Sequence, residues 1–336
     1  MPDRPDVARE TPLADLLASL TPNDRFFVRS HAHETPRIDR TAYVLEVAND
    51  GDGAVRSFSL ADLRALPRAS AVVTLACSGN GRSGFDPAPG GLPWGFGAIA
   101  TARWDGVRLR DVVAACGPIS PDVLHVAFDA FDAAPDERRP PFRRSLPRAR
   151  ALDDGTLVVD TMNGEPIPAE HGGPVRLIVG GWTGNHAVKW LRRVTLAREP
   201  DHGHWMVNDY RIPGVDGTMR MIESSAPIAI VASPAAGAHI ASPFEIEGVA
   251  YGEPAPARVR VEVDGAPAGD VPVRYADGPY AWGRWSLRLA LSSGPHRIEA
   301  SAVDAAGAMY EHTPWNAGGY LFNGAHAITV AIVSKG

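Results

Sequence analysis

Ala71-Val-Val-Thr-Leu-Ala-Cys77-Ser-Gly79-Asn-Gly81-Arg82-Ser-Gly84 runs from a short apolar segment straight onto a thiol and then into a glycine-rich turn. The apolar run has the length of a buried strand. Gly79-Asn80-Gly81-Arg82-Ser83-Gly84 satisfies G-x-G-x-x-G, which binds dinucleotides only where a helix opens and turns its N-terminus to the pyrophosphate. Pro87, Pro89 and Pro93 with Gly90-Gly91 argue against such a helix. The Gly79–Gly97 stretch is therefore read as a long loop, of a length that usually signals function. Cys77 at its mouth has three readings: an inert core thiol, a nucleophile activated by a nearby arginine and a histidine base, or a thiolate ligand to a soft transition metal. Spacing alone leaves all three open.

Working outward, Pro12 to Leu20 reads as a short helix and Phe26 to His31 as extended chain. Tyr43 to Val47 alternates like a strand, and Ser59 is placed to cap a helix beginning at Leu60. Leu109 to Ala115 is helical and Val123 to Ala127 a strand, followed by a charged loop from Asp132 to Pro147. Leu157 to Val159 and Val175 to Val179 read as buried strands. This is a mixed α and β region without the regular alternation of a parallel doubly wound sheet. At Ser225-Ala226-Pro227 the texture changes. Ile228–Val231, Phe244–Val249, Arg258–Val263, Trp285–Leu289, His296–Ala300 and Ala327–Ile332 alternate at period two between Gly, Pro and Asp turns, as in an antiparallel β-sandwich. The fold class is α+β, with one domain over 1–225 and a second over 226–336.

The 336 residues suit about two domains. A hydrophobic share of 45% with 21% charged residues excludes a disordered chain. Lys and Arg number 33 against 39 Asp and Glu, a net charge of -6, and no basic run stands out, so no nucleic-acid partner is expected. With 34 Gly and 30 Pro the composition favours strands and loops over helical bundles. Two cysteines, Cys77 and Cys116, exclude a disulfide framework, a four-thiolate zinc site and an attached c-type haem. No stretch approaches the roughly 18 apolar residues of a membrane span. A cytoplasmic location is expected, or a periplasmic one if an export signal has been trimmed.

Several longer motifs occur in order: Thr74-Leu-Ala-Cys77-Ser-Gly-Asn-Gly-Arg82, Trp94-Gly-Phe-Gly-Ala-Ile-Ala-Thr-Ala-Arg-Trp-Asp-Gly-Val-Arg-Leu-Arg-Asp111, Met162-Asn-Gly-Glu-Pro-Ile-Pro-Ala-Glu-His171-Gly-Gly-Pro-Val-Arg176, Val188-Lys189-Trp190-Leu191 and Trp315-Asn316-Ala-Gly-Gly-Tyr320. Together they resemble the sulfite oxidase family of molybdenum enzymes. The resemblance implies a molybdenum-molybdopterin cofactor with Cys77 as the one protein ligand to the metal. It assigns Arg29, His31, Asp132, His171, Arg176, Val188, Lys189 and Trp190 to holding that cofactor. It also implies an immunoglobulin-like C-terminal domain forming a homodimer contact, and an external electron acceptor such as a cytochrome c. Taken singly, each of these residues reads as an ordinary surface charge or loop former.

The chain also departs from the pattern. A tyrosine that sulfite-oxidising members carry beside the metal is replaced by Phe142, a lysine expected between Cys77 and Trp94 is missing, and Gly318 stands where the animal enzymes have an arginine. Arg29 and Arg82 remain to bind an anionic substrate, with Arg143 or Arg144 as substitutes. Each charge-assisted bond to an anion is worth roughly 1.5 to 3 kcal/mol, so these losses bear on substrate choice. The first expectation is oxidation of sulfite to sulfate, with Cys77, Arg29, Arg82 and Phe142 around the reacting centre. The alternative keeps the cofactor and takes another small oxyanion, a sulfoxide or an organosulfur compound. A third reading is a metal-free dimeric binding protein. His31-Ala-His33 and His202-Gly-His204 lack the third nearby ligand of a zinc site, and Trp282, Trp285 and Trp315 read as core or interface anchors.

Overall fold

The computed structural model describes residues 7–32, 34–49, 53–134, 136, 139–214 and 216–333. The polar lead Met1–Asp6 and His33 lie outside the described residues. Two compact units emerge. The first comprises the described residues up to Arg9 with Val28–Cys77 and Ala102–Glu223, and the second comprises Glu10–Phe27, Ser78–Thr101 and the described residues from Ser224 onward.

The first unit is built on two sheets. One has five strands in the order Val55–Ser59, Val44–Asn49, Leu191–Ala197, His125–Ala130, Arg143–Pro147. Its Val44–Asn49 and Leu191–Ala197 strands run parallel and its other neighbours antiparallel. The other sheet runs Glu165–Pro166, Thr156–Met162, Ile99–Arg108, Arg68–Ala76, with Arg176–Val179 also pairing with Thr156–Met162. Leu45, Phe58, Phe128, Val158, Leu177 and Val194 belong to one buried core. Removing that much apolar surface from water is the main force holding the unit together. Ser59 caps the Leu60–Ala65 helix as expected, its hydroxyl accepting from Asp62 N while the Asp62 carboxylate accepts from Ser59 N.

The Asp132–Pro147 stretch is not loop throughout, because Arg143–Pro147 forms an edge strand paired with His125–Ala130. The charges that suggested a loop are consumed inside the protein. Arg143 bonds Asp129 and Asp201 at 2.5 and 2.9 Å, and Arg144 is wholly buried.

In the second unit, Ile228–Ser233, Phe244–Tyr251 and Gly283–Leu289 form one sheet. His239–Ala241, His326–Val333, Gly294–Val303, Arg258–Val263 and Ala266–Pro272 form the other. Val231, Ile246, Val261, Trp285, Ile298 and Val330 share one core, as a sandwich requires. The short His239–Ala241 strand pairs parallel to His326–Val333, an exception to the antiparallel expectation. Trp282 and Trp285 are buried, whereas Trp315 is half-exposed with its indole N–H on the Pro87 carbonyl. In the glycine-rich loop only a 3-10 turn forms, over Arg82–Gly84. No helix opens there, so the phosphate cradle of a dinucleotide site is missing.

Candidate active site

Cys77 follows directly on Arg68–Ala76, so the last pleat of a buried strand delivers its thiol at the sheet's edge. The adjacent strand Ile99–Arg108 carries Trp104, and the Arg176 guanidinium stacks 5.0 Å over that indole. The same sheet therefore carries a thiol and a buried cation.

Arg176 is 3% exposed and donates to the carbonyls of His171 and Ala187 at 2.6 and 2.9 Å. Its Nε is buried without a partner, and burial pushes the guanidinium down to about 9. Beside it Lys189 donates to the Glu170 carbonyl at 2.7 Å, and burial, with Arg176 and Arg29 near it, lowers the ammonium well below its usual range. His171 is buried, its Nε2 3.5 Å from the Glu170 carboxylate, and Trp190 donates to the Ala169 carbonyl at 2.7 Å. Val188 accepts from Leu177 N through its carbonyl and is buried. Gly172 allows this packing: its φ is +100°, and a Cβ there would stand 2.8 Å from Lys189 Cβ. His171, Arg176, Val188, Lys189 and Trp190 are thus brought together around two basic side chains that lie over indole rings and whose described hydrogen-bond acceptors are backbone carbonyls. An orphaned buried donor on a guanidinium costs free energy that an incoming anion returns.

A second group lies on the Arg29 side. Arg29 donates to the Ser30 carbonyl at 2.5 Å and to His31 Nδ1 at 3.0 Å. A guanidinium can only donate, so His31 Nδ1 must accept and a neutral ring carries its proton on Nε2. Burial first, and then Arg29, pushes His31 down to about 2, so the ring is neutral at ordinary pH. Its Nε2 therefore donates to the Tyr210 phenolic oxygen, 2.5 Å away. Phe142 stacks on His31 at 5.9 Å and Trp205 packs tilted against it at 4.4 Å, and Asp132 accepts from Phe142 N at 3.1 to 3.2 Å. Burial pushes the Asp132 carboxyl up to about 6.

Sequence reasoning missed Tyr210 and Trp205 as members of this group, and Arg144, offered as a substitute anion-binding group, instead donates to the Trp205 carbonyl and lies 5.4 Å from the centre of the Tyr210 ring. A phenolic hydroxyl does stand beside His31, that of Tyr210 at the end of the His204-Trp205-Met-Val-Asn-Asp-Tyr210 stretch, whose two aromatics among polar residues were the available signal. Arg143, offered as a substitute anion-binding group, is taken up by Asp129 and Asp201.

In the second unit, Arg82 is buried, donating to the carbonyls of Gly319 and Leu92 at 3.3 and 2.9 Å with its guanidinium 5.5 Å from the Tyr320 ring centre. At Gly91, φ +97°, a Cβ would stand 2.9 Å from Arg82 Nη1. Gly318 leaves room that the Tyr320 ring occupies, a Cβ there falling 3.0 Å from Tyr320 Cζ.

Residues 31–205 match the oxidoreductase molybdopterin binding domain family. The sulfite oxidase of Gallus gallus is 35% identical over 350 residues, covering 94% of this chain and 74% of that protein. The chain belongs to the sulfite oxidase family. The mitochondrial sulfite oxidase of Homo sapiens is 35% identical over 341 residues, covering 93% of this chain and 62% of that protein. The chain thus spans about three fifths of the length of that family member and of the similarly matched Macaca fascicularis enzyme, 62% in each. In fold it superposes on the sulfane dehydrogenase SoxCD from Paracoccus pantotrophus with a TM-score of 0.83 at 23% identity, covering 100% of this chain and 88% of that one. The sulfite oxidase cofactor, molybdenum-molybdopterin, fits the groups found here. A thiolate suits a soft transition metal, and the orphaned Arg176 Nε beside Lys189 suits a phosphate.

Proposed function

We propose that the protein oxidises sulfite to sulfate and passes the electrons to a separate acceptor such as a cytochrome c. The observation that carries this reading is the directed hydrogen-bond chain from Arg29 through His31 to Tyr210, set beside the carbonyl-lined cations Arg176 and Lys189. Cys77 is the proposed metal ligand, and Arg176, Lys189 and His171 the proposed hold on the pterin phosphate, with Val188 and Trp190 shaping the pocket. The molybdenum cofactor, when bound, supplies the two-electron redox chemistry.

The remaining work falls to side chains. Arg29 offers positive charge to a small anion, and the same guanidinium fixes the His31 tautomer. Neutral His31 serves as a hydrogen-bond donor and not as a base. By donating to Tyr210 it turns the phenol's own O–H away from the ring of His31 and strengthens it as a donor. Phe142 and Trp205 exclude water from that hydroxyl, which raises the weight of each charge nearby. Arg82 is proposed as a further anion-binding group, since its Nη2 makes none of the described hydrogen bonds.

A second reading takes a sulfoxide, an organosulfur compound or another small oxyanion as substrate. It is favoured by Tyr320, whose ring fills the space at Gly318 and covers one face of Arg82. A steady-state screen on metal-loaded protein with a neutral dye as electron acceptor separates the two. Sulfite-dependent dye reduction is expected, with a Michaelis constant that rises with salt because guanidinium groups hold the anion. Turnover of sulfoxides or organosulfur compounds without sulfite turnover favours the second reading. Protein without molybdenum or turnover, from a host that makes the cofactor, points to a binding protein.

A further inference from the structure

Fully buried cations are uncommon, and Arg144 is 0% exposed. It sits on the edge strand Arg143–Pro147, opposite Phe128 of His125–Ala130. Its Nη1 donates to the Trp205 carbonyl, and its Cζ lies 5.4 Å from the centre of the Tyr210 ring. Trp205 in turn packs on His31 and on Phe142, with ring centres at 4.4 and 5.2 Å. One guanidinium thus grips the backbone of the residue that packs on His31 and also faces the ring that His31 bonds.

We propose that Arg144 is a positioning residue that fixes Tyr210 against His31 and, through its charge over the ring, makes the phenol a readier proton donor. The inference rests on reading Tyr210 as the active-site hydroxyl. A cation over an aromatic face is attracted to the ring's electrons. That attraction is larger for a phenolate, which carries a full negative charge, so the cation favours proton release. Burial keeps water from screening the effect.

Other groups face the same phenol and must be weighed with it. His31 donates to its oxygen with Arg29 behind, and Arg139 and His204 add positive charge around His31. His204 is itself 3.3 Å from the Asp209 carboxylate. Asp132 is engaged by Phe142 N, and His186, bonded to the Ile222 carbonyl, feels the Arg144 charge. Among the described residues named here, Arg144 is the one whose charge lies over the ring face, so its removal takes away both that charge and the grip on the Trp205 carbonyl, and Arg144→Lys separates the two.

The test is an ultraviolet difference titration of tyrosinate in the holoenzyme, with Tyr210→Phe subtracted to isolate the one phenol. Burial by itself raises a phenol and Tyr210 is buried, so the wild-type titration serves as the reference for the Arg144 variants. Arg144→Met is expected to raise its titration by about one pH unit, a tenfold change in the ionisation constant, and to move the basic limb of the kcat profile the same way. Arg144→Lys, which keeps the charge, is expected to restore most of the difference. An unmoved titration in folded Arg144→Met overturns the proposal. Should that variant fail to fold, Arg144→Gln takes its place, and an unmoved Tyr210 titration in it overturns the proposal. Unchanged turnover in Tyr210→Phe counts against the functional reading instead, and leaves the titration free to test Arg144.

Discussion

Tyr210 and Trp190 hold φ values of 58° and 50°. That region costs a bulky side chain on the order of 1 to 3 kcal/mol and persists only where surrounding bonds over-determine it. Here Ile222 N bonds the Tyr210 carbonyl at 2.9 Å, and Trp190 N bonds the Gly172 carbonyl at 3.1 Å. Both strained residues lie in the groups assigned to the site, one beside His31 and one beside Lys189. Tyr210→Phe should therefore lower kcat for sulfite at least tenfold, about 1.4 kcal/mol in barrier terms, while Phe142→Tyr should change it little because a phenol is already present. Steady-state kinetics of the two variants check this, and the reverse ranking would return the role to position 142. Buried histidines set the acid behaviour of the fold. Burial pushes His31 down to about 2 and His326 to about 4, and lowers His186 well below its usual value. The unfolded chain binds protons at these sites near 6.5 while the folded one does not, so their contribution to stability is lost as pH falls below that value. Asp132, pushed up to about 6 by burial, acts oppositely, because its folded form takes up a proton first and gains stability as pH falls through about 6. His296, raised by its Asp264 partner, acts with Asp132, so three buried rings oppose two groups, one of them on the surface. The urea midpoint should be lower at about pH 5 than at about pH 7, and an equal or higher midpoint in acid would contradict the neutral assignment of these rings.

Between elements, Asp160 on Thr156–Met162 is 3% exposed and accepts from Arg64 Nε and Arg68 Nη2, each at 2.6 Å. It joins the Leu60–Ala65 helix and the start of the Arg68–Ala76 strand to the sheet that ends at Cys77. Burial opposes its ionisation, yet the two arginines prevail and hold the carboxyl below its usual range. Asp160→Ala leaves two guanidinium groups that water can reach, so the loss should be about 1 to 3 kcal/mol and not more. Denaturant unfolding of the variant measures it, and a change of under about 0.3 kcal/mol would mean the pairs do not couple these elements. Elements with a period were legible in the sequence. Ile228–Ser233 or Arg258–Val263 alternates because one face meets a core, and the Ser59 cap follows from side-chain chemistry alone. The Arg143–Pro147 strand was not legible, because its arginines find partners only after distant segments arrive, Asp201 for Arg143 and Trp205 for Arg144. Tyr210 was hidden for the same reason: its meaning comes from His31, remote in sequence.

Across the whole molecule, the change of texture at Ser225 falls beside the boundary between Glu223 and Ser224, but the second unit also takes in Glu10–Phe27 and Ser78–Thr101. Arg284 of the sandwich donates to the carbonyls of Leu17 and Ala18 at 2.7 Å each, and Phe322 packs edge-on to Phe85 at 5.2 Å. No local pattern in residues 10–27 or 78–101 announces these distant partners. Truncation after Ser225 would strip both segments of their packing, so the shortened chain should lose thermal stability and hold cofactor poorly, as calorimetry and metal analysis would show. The proposed dimer through the sandwich should sediment as such at micromolar concentration, and a clean monomer would remove it. The central claim is that Cys77 holds a molybdenum centre that turns over sulfite. It is tested most directly by measuring bound molybdenum and sulfite turnover together in the wild type and in Cys77→Ser, both made in a host that synthesises the cofactor. The account predicts molybdenum and sulfite turnover in the wild type, and a folded Cys77→Ser with less than about a tenth of that turnover, because a hydroxyl is a harder and far less acidic donor than a thiol. Retention of more than about a tenth, a barrier change under about 1.4 kcal/mol, or wild-type protein without molybdenum, would contradict it.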